Sequence, residues 1–229
     1  MNYKELEKLV IYEDNHLLVV NKPTGYLTQG DKTGDIPIVD EFKEYIKVKY
    51  DKPGKVFLHP VSRLDRPASG ALILARTSKG LSRMTEIIRK RDIEKQYRAI
   101  VKGRIQEHEA ELQHFLLKDH SKNRVALAKP STPKAKSAKL SYRVTHFLDK
   151  ATIVSIDLVT GRPHQIRVQF AAIGHPIIGD GKYGKSTQAG ESKLYLHCER
   201  LAFLHPVKKE PIEIKAPFPS MLLWKEMDD

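Results

Sequence analysis

Residues 60–75 read PVSRLDRPASGALILA, an acid set between two arginines and followed by an unbroken apolar run. The run at 71–75 (ALILA) has the length and bounding of a core strand, and residues 56–58 read as a second strand ahead of the loop. A polar loop framed by core strands presents its side chains from a rigid frame, and here they are Ser62, Arg63, Asp65 and Arg66. An arginine beside a carboxylate favours its charged form, which makes Asp65 a candidate nucleophile or base. Taken alone, Arg-x-Asp-Arg would read as a surface ion pair, so the rest of the chain must decide.

Working outward, residues 17–21 (LLVVN) form a buried strand that ends in a Lys-Pro-Thr-Gly turn. Ile38, Phe42, Tyr45 and Ile46 fall near helical spacing, which predicts an amphipathic helix over 36–50, closed by Pro53-Gly54. Beyond the central stretch, Thr77 is an N-cap for a helix running to about Arg91, with Leu81, Met84, Ile87 and Ile88 on one face. Residues 97–101, 140–147 and 152–159 read as strands, whereas 164–173 has helical spacing, so the class is α+β. Residues 118–139 hold Lys122, Arg124, Lys129, Lys134, Lys136 and Lys139 with two prolines, and read as a mobile basic loop or finger, or a solvated linker. Residues 182–192 form a second polar loop. No repeat or compositional break divides the chain, so a single domain over 1–229 is expected.

With 229 residues and 40% hydrophobic content the chain can bury one sizeable core. Its formal charge of +12 favours polyanionic partners, nucleic acid ahead of acidic membrane surfaces, because neutralising phosphates releases counterions. The lone Cys198 excludes an internal disulfide and fits a reducing compartment. The first ten residues lack the apolar centre of a signal peptide, and no run approaches the roughly 18 apolar residues of a membrane span. A soluble, cytoplasmic, monomeric protein without membrane association is therefore expected. No Gly-rich phosphate loop appears, and the ten histidines lack zinc spacing; His108, His114 and His120 are evenly spaced but expected to be exposed. No cofactor and no metal are expected.

The central stretch resembles the signature of the RluA group of pseudouridine synthases, His-Arg-Leu-Asp followed by a spacer and Ser-Gly. Here it reads Ser62-Arg63-Leu64-Asp65, then Ser69-Gly70, departing from the family at Ser62, usually histidine, and Ala68, usually threonine. Two further blocks match in order. Upstream are Tyr12-Glu13-Asp14-Asn15, Asn21-Lys22-Pro23 and Gly25. Downstream are residues 161–168 (GRPHQIRV), Gly174-His175-Pro176 and Gly179-Asp180. The resemblance spans roughly 10–217 and leaves unmatched the N-terminal RNA-binding domain of some relatives, so the catalytic domain alone is expected.

The resemblance implies a central, mostly antiparallel mixed sheet with helices and loops around a basic cleft. It implies RNA, ribosomal or transfer, as partner, and uridine isomerisation as the reaction: the base leaves ribose at N1, rotates, and rejoins through C5. It places catalysis on Asp65, the ring that faces the target base on Tyr97, and the basic partner of the catalytic aspartate on Arg167. Arg63, Arg66, Arg162, His164 and Gln165 are the implied RNA contacts, with the target uridine flipped out of its stack. A noncatalytic RNA-binding protein would instead leave Asp65 dispensable. A glycosidase would need two carboxylates at a defined separation, and Asp180 is the acid of the downstream block.

Overall fold

The computed structural model describes residues 1–31, 33–119, 121–184 and 193–225. The chain opens with α1 (Tyr3–Glu7), β1 (Val10–Glu13), β2 (Leu17–Lys22), α2 (Ile38–Lys49), β3 (His59–Pro60), β4 (Ser69–Ala75) and α3 (Ser78–Lys90). It continues through β5 (Ile93–Lys102), β6 (Glu109–Asp119), β7 (Arg124–Ala128), β8 (Lys136–Phe147), β9 (Ala151–Leu158) and α4 (Gln165–Ala172). Last come β10 (Leu196–Leu204), β11 (Pro211–Lys215) and α5 (Leu222–Lys225). The class is α+β, and the chain folds as two compact units, Met1–Glu94 with Cys198–Pro219 and Lys95–His197 with Ser220–Asp229.

In the first unit the strand order is β1-β2-β4-β10, with β11 on β10 and β3 on β4. Apolar runs without alternation bury both faces of a strand, and β2 and β4 do so, pairing antiparallel from Leu17↔Ala75 to Lys22↔Gly70. Gly70 has φ +109°, and a Cβ there would collide with the backbone of Cys198, so the Ser-Gly of the signature answers a close approach of main chains. Helix α2 buries Ile38, Val39, Phe42, Tyr45 and Ile46, the face its spacing predicts. Helix α3 starts where Thr77 accepts a hydrogen bond from Gly80 N and stops at Arg91, which is left-handed at φ 66°. Residues 56–58 do not form the expected strand. Pairing begins at His59↔Ala75, the last residue of β4, so in antiparallel register residues 56–58 run past the end of that strand.

The first matched block shapes this unit. Asp14 Oδ1 accepts hydrogen bonds from His16 N and Leu17 N, both at 2.8 Å, closing the turn between β1 and β2. Glu13 pairs with Arg76 at 2.9 Å and Lys49 at 2.7 Å, tying β1 to the end of β4 and to α2.

The second unit carries the order β5-β9-β8-β6-β7, with antiparallel pairing throughout this series. The basic stretch 118–139 is not an open loop but two antiparallel pairings. Lys118 and Asp119 end β6, which pairs β7 from Phe115↔Ala128 to Asp119↔Arg124, while Lys136 and Lys139 lie on β8. Its polar composition conceals an alternation, with Val125 buried between exposed Arg124 and Ala126. Leu116, Val125 and Ala138 pack with Val168 of α4 and with Tyr183, which supplies the apolar burial that fixes the strands. Residues 165–170 are all buried, so the first six residues of α4 are enclosed despite their polar members, and only its end reaches the surface. The second polar loop, 182–192, lies largely outside the described residues.

Candidate active site

Asp65 lies in the loop between β3 and β4 and is half-buried. The loop is braced through its main chain. Thr28 Oγ1 donates to Leu64 O at 3.0 Å and accepts from Leu64 N at 3.2 Å. Thr24 Oγ1 donates to Pro67 O at 2.6 Å, and Gly25 N donates to Arg66 O at 2.9 Å. Ala68 N closes a turn onto Asp65 O at 3.0 Å. Ala68 is 2% exposed, so a methyl fills the place where relatives of this signature carry threonine.

Beneath the loop lies Lys22, fully buried at the end of β2. Its Nζ donates to Pro23 O and Tyr26 O, both at 2.9 Å, and to Arg66 O at 3.2 Å. Three carbonyls match the three N–H groups of an ammonium. Burial pulls its pKa down to about 7, the Asp65 carboxylate pulls it up, and Arg66 pulls it down again. Sequence reasoning places Lys22 in a turn and in the upstream matched block but gives it no role; a charged residue closing a run as apolar as LLVV is the signal that could have found one.

The arginines of this loop differ. Arg63 is exposed. Arg66 is also exposed but already engaged, donating through Nε to Gly25 O at 3.0 Å and pairing with Asp35 at 2.7 Å.

In the second unit, Tyr97 lies on β5 opposite Ile156 of β9 and is 9% exposed. Arg167 is buried on α4, and its Nε and Nη2 bond Asp180 Oδ2 and Oδ1, each at 2.8 Å. Asp180 also accepts from the backbone of Lys182 and Tyr183. Burial raises its pKa, but the Arg167 guanidinium and these N–H groups outweigh that and hold the carboxyl below its ordinary value. Gly179 precedes it at φ +77°, where a Cβ would strike the Lys193 carbonyl.

Gln165 does not face outward as a substrate contact would. It is 2% exposed, with Oε1 accepting from Thr160 Oγ1 at 2.7 Å and Arg162 N at 3.0 Å and Nε2 donating to Lys139 O at 3.1 Å. Arg162 is half-buried and donates through Nε to Ser137 O at 3.0 Å. His164, at the N-cap of α4 with φ 52°, sets Nδ1 2.6 Å from Tyr183 Oη. Sequence reasoning missed Tyr183, although it sits three residues after Asp180 in a matched block.

Among the described residues no cluster of histidine, cysteine and carboxylate side chains is placed to hold a metal ion, and no helix is long and apolar enough to cross a membrane. His108 is exposed, while His114 is half-buried with Nδ1 3.1 Å from Gln169 Nε2; His120 lies outside the described residues.

The Arg-Leu-Asp signature lies in the loop between β3 and β4, and the Gln-Ile-Arg block opens α4. The RNA pseudouridylate synthase family model matches residues 16–172, and the chain belongs to that family. It is an RNA uridine isomerase of the RluA group. It is 33% identical over 224 residues to ribosomal large subunit pseudouridine synthase C of Vibrio vulnificus, covering 95% of this chain and 68% of that protein. The Escherichia coli (strain K12) protein of the same name is 34% identical over 220 residues, with 93% and 67% covered. Among solved structures, human RNA pseudouridylate synthase domain containing 4 superposes with a TM-score of 0.80 at 21% identity, covering 95% of this chain and 91% of that one. Human RNA pseudouridylate synthase domain containing 1 gives 0.73 at 24% identity, covering 93% and 84%. These two likenesses bear on the fold.

Proposed function

We propose that Asp65 is the catalytic residue of this RNA pseudouridine synthase, and that its substrate is large-subunit ribosomal RNA. The observation that carries the first part is the bracing of its loop. Lys22, Thr24, Thr28 and Gly25 take up the main-chain groups of residues 64, 66 and 67, which limits the loop's freedom and so fixes where the Asp65 side chain starts. The carboxylate can add to C6 of the uracil, attack C1′, or remove the C2′ proton, and each route needs it ionised.

Tyr97 is proposed to present its ring to the target base, and Arg167 to supply the positive charge, with Asp180 fixing its orientation. Arg63, Arg162 and His164 are proposed RNA contacts. Arg66 joins them only by giving up Asp35, and Gln165 acts indirectly by shaping the Arg162 turn. The ribosomal assignment follows from the names of the relatives, with transfer RNA as the alternative. The enzyme is proposed to work without cofactor, as a cytoplasmic monomer.

The test is incubation with unmodified ribosomal and transfer RNA, followed by carbodiimide labelling and primer extension, with Asp65→Asn as control. New stops with the wild type on large-subunit RNA alone are expected. Stops on transfer RNA alone would move the substrate; equal stops with Asp65→Asn would remove the catalytic assignment. Free uracil as product would favour a glycosidase.

A further inference from the structure

Tyr183 gathers four elements of the second unit around one side chain. Its hydroxyl lies 2.6 Å from His164 Nδ1 and accepts the N–H of Val125 at 2.9 Å. Two guanidinium groups lie over its ring, Arg167 at 5.2 Å and Arg124 at 5.3 Å from the centroid. Its main-chain N–H is held by Asp180 at 3.1 Å, so the residue is anchored to the same carboxylate that orients Arg167. Next to it, Lys182 Nζ reaches Asn123 O at 2.7 Å in the β6–β7 turn.

We infer that Tyr183 is a positioning residue, which locks the basic β6–β7 hairpin to the start of α4 so that Arg124 and His164 are preset for the RNA while Arg167 is held in place behind them. β7 stands at the edge of this unit's strand series, where a hairpin is free to hinge unless something outside the ladder holds it. The Tyr183 hydroxyl does so by taking the N–H of Val125. The same hydroxyl lies 2.6 Å from His164 Nδ1, so one side chain holds both the hairpin and the imidazole in place. The ring meanwhile gives Arg167 an apolar face that a mobile guanidinium would lack. A hairpin docked in advance spares RNA binding the entropy of ordering it, so the hydroxyl should act on binding and the ring on turnover.

The inference rests on the proposed roles of Arg167 and His164. Its test is to measure kcat and KM on unmodified large-subunit ribosomal RNA, direct binding of the same RNA, and thermal melting for the wild type, Tyr183→Phe, Tyr183→Leu and Asp65→Asn. Tyr183→Phe is expected to weaken RNA binding and raise KM about fivefold to tenfold, the scale of a missing hydrogen-bond pair. Tyr183→Leu is expected to add a loss in kcat of about tenfold, as Arg167 loses its stacking face. The salt slope of binding should stay that of the wild type for both, since no charge is removed. Binding and KM unchanged in Tyr183→Phe, or a loss that only tracks a lower melting temperature, would overturn the inference. An active Asp65→Asn would instead strike the catalytic reading, and the binding data would still judge Tyr183.

Discussion

Arg167 and Asp180 form a two-pronged ion pair with both bonds at 2.8 Å and side chains 6% and 0% exposed. A buried pair of this geometry is costly to break from one side, because the remaining charge loses its two-pronged partner where water does not replace it. Asp180→Ala is therefore expected to destabilise the protein by about 3–5 kcal/mol, read by denaturant titration. Asp180→Asn keeps the shape but removes the charge. Because the carboxyl is held below its ordinary pKa in the folded state, its stabilising contribution is present above the unfolded value near 3.9 and lost as pH falls through the folded one. The stability gap between wild type and Asp180→Asn should narrow only below about pH 4; a gap that closes near neutrality would assign the effect to another group.

Lys22 should leave the opposite pH signature. Its folded pKa of about 7 lies below the ordinary lysine value, so between the two the unfolded chain binds the extra proton and stability rises with pH. Relative to Lys22→Met, the wild type should gain on the order of 2 kcal/mol between pH 7 and 9. Parallel stability curves for the two proteins would mean that Lys22 does not titrate in this window.

Thr28 supports the Asp65 loop through both main-chain groups of Leu64 and is 4% exposed. Thr28→Val conserves shape and strands a buried N–H and C=O, at a cost of about 1–3 kcal/mol. Turnover should fall about tenfold with RNA binding close to the wild type, because the loss is in placing the carboxylate. A variant with full turnover would show that the loop does not need this brace.

The exposed cations of the hairpin region, Lys122, Lys129, Lys134 and Lys136, are candidates for holding phosphates. Changing them to glutamine should weaken RNA binding and lower the salt slope by about 0.7–0.9 for each phosphate that is no longer neutralised. An unchanged slope would leave these residues as a solvated face.

Much of the first unit was legible because its signals are local. The apolar runs of β2 and β4, the Thr77 cap and the face of α2 depend on residues within a few positions of one another. The hairpin at 118–139 was not, because its alternation is short and its lysines dominate the composition; the packing of Val125 against Leu116, Ala138, Val168 and Tyr183 is what makes it a strand.

For the candidate site the division is similar. The order and spacing of Arg63, Leu64, Asp65, Ser69 and Gly70, with the Gln165-Ile166-Arg167 block, determined the family and which acid to suspect. Tertiary structure alone decided that Lys22 is a buried brace, that Gln165 turns inward, and that the Tyr183 ring meets both Arg124 and Arg167. Val125 and Tyr183 stand 58 positions apart, and Lys22 and Arg66 stand 44 apart. Pairings at such separations form only when strand pairing and burial bring the segments together, and no local periodicity encodes which polar group will find which partner.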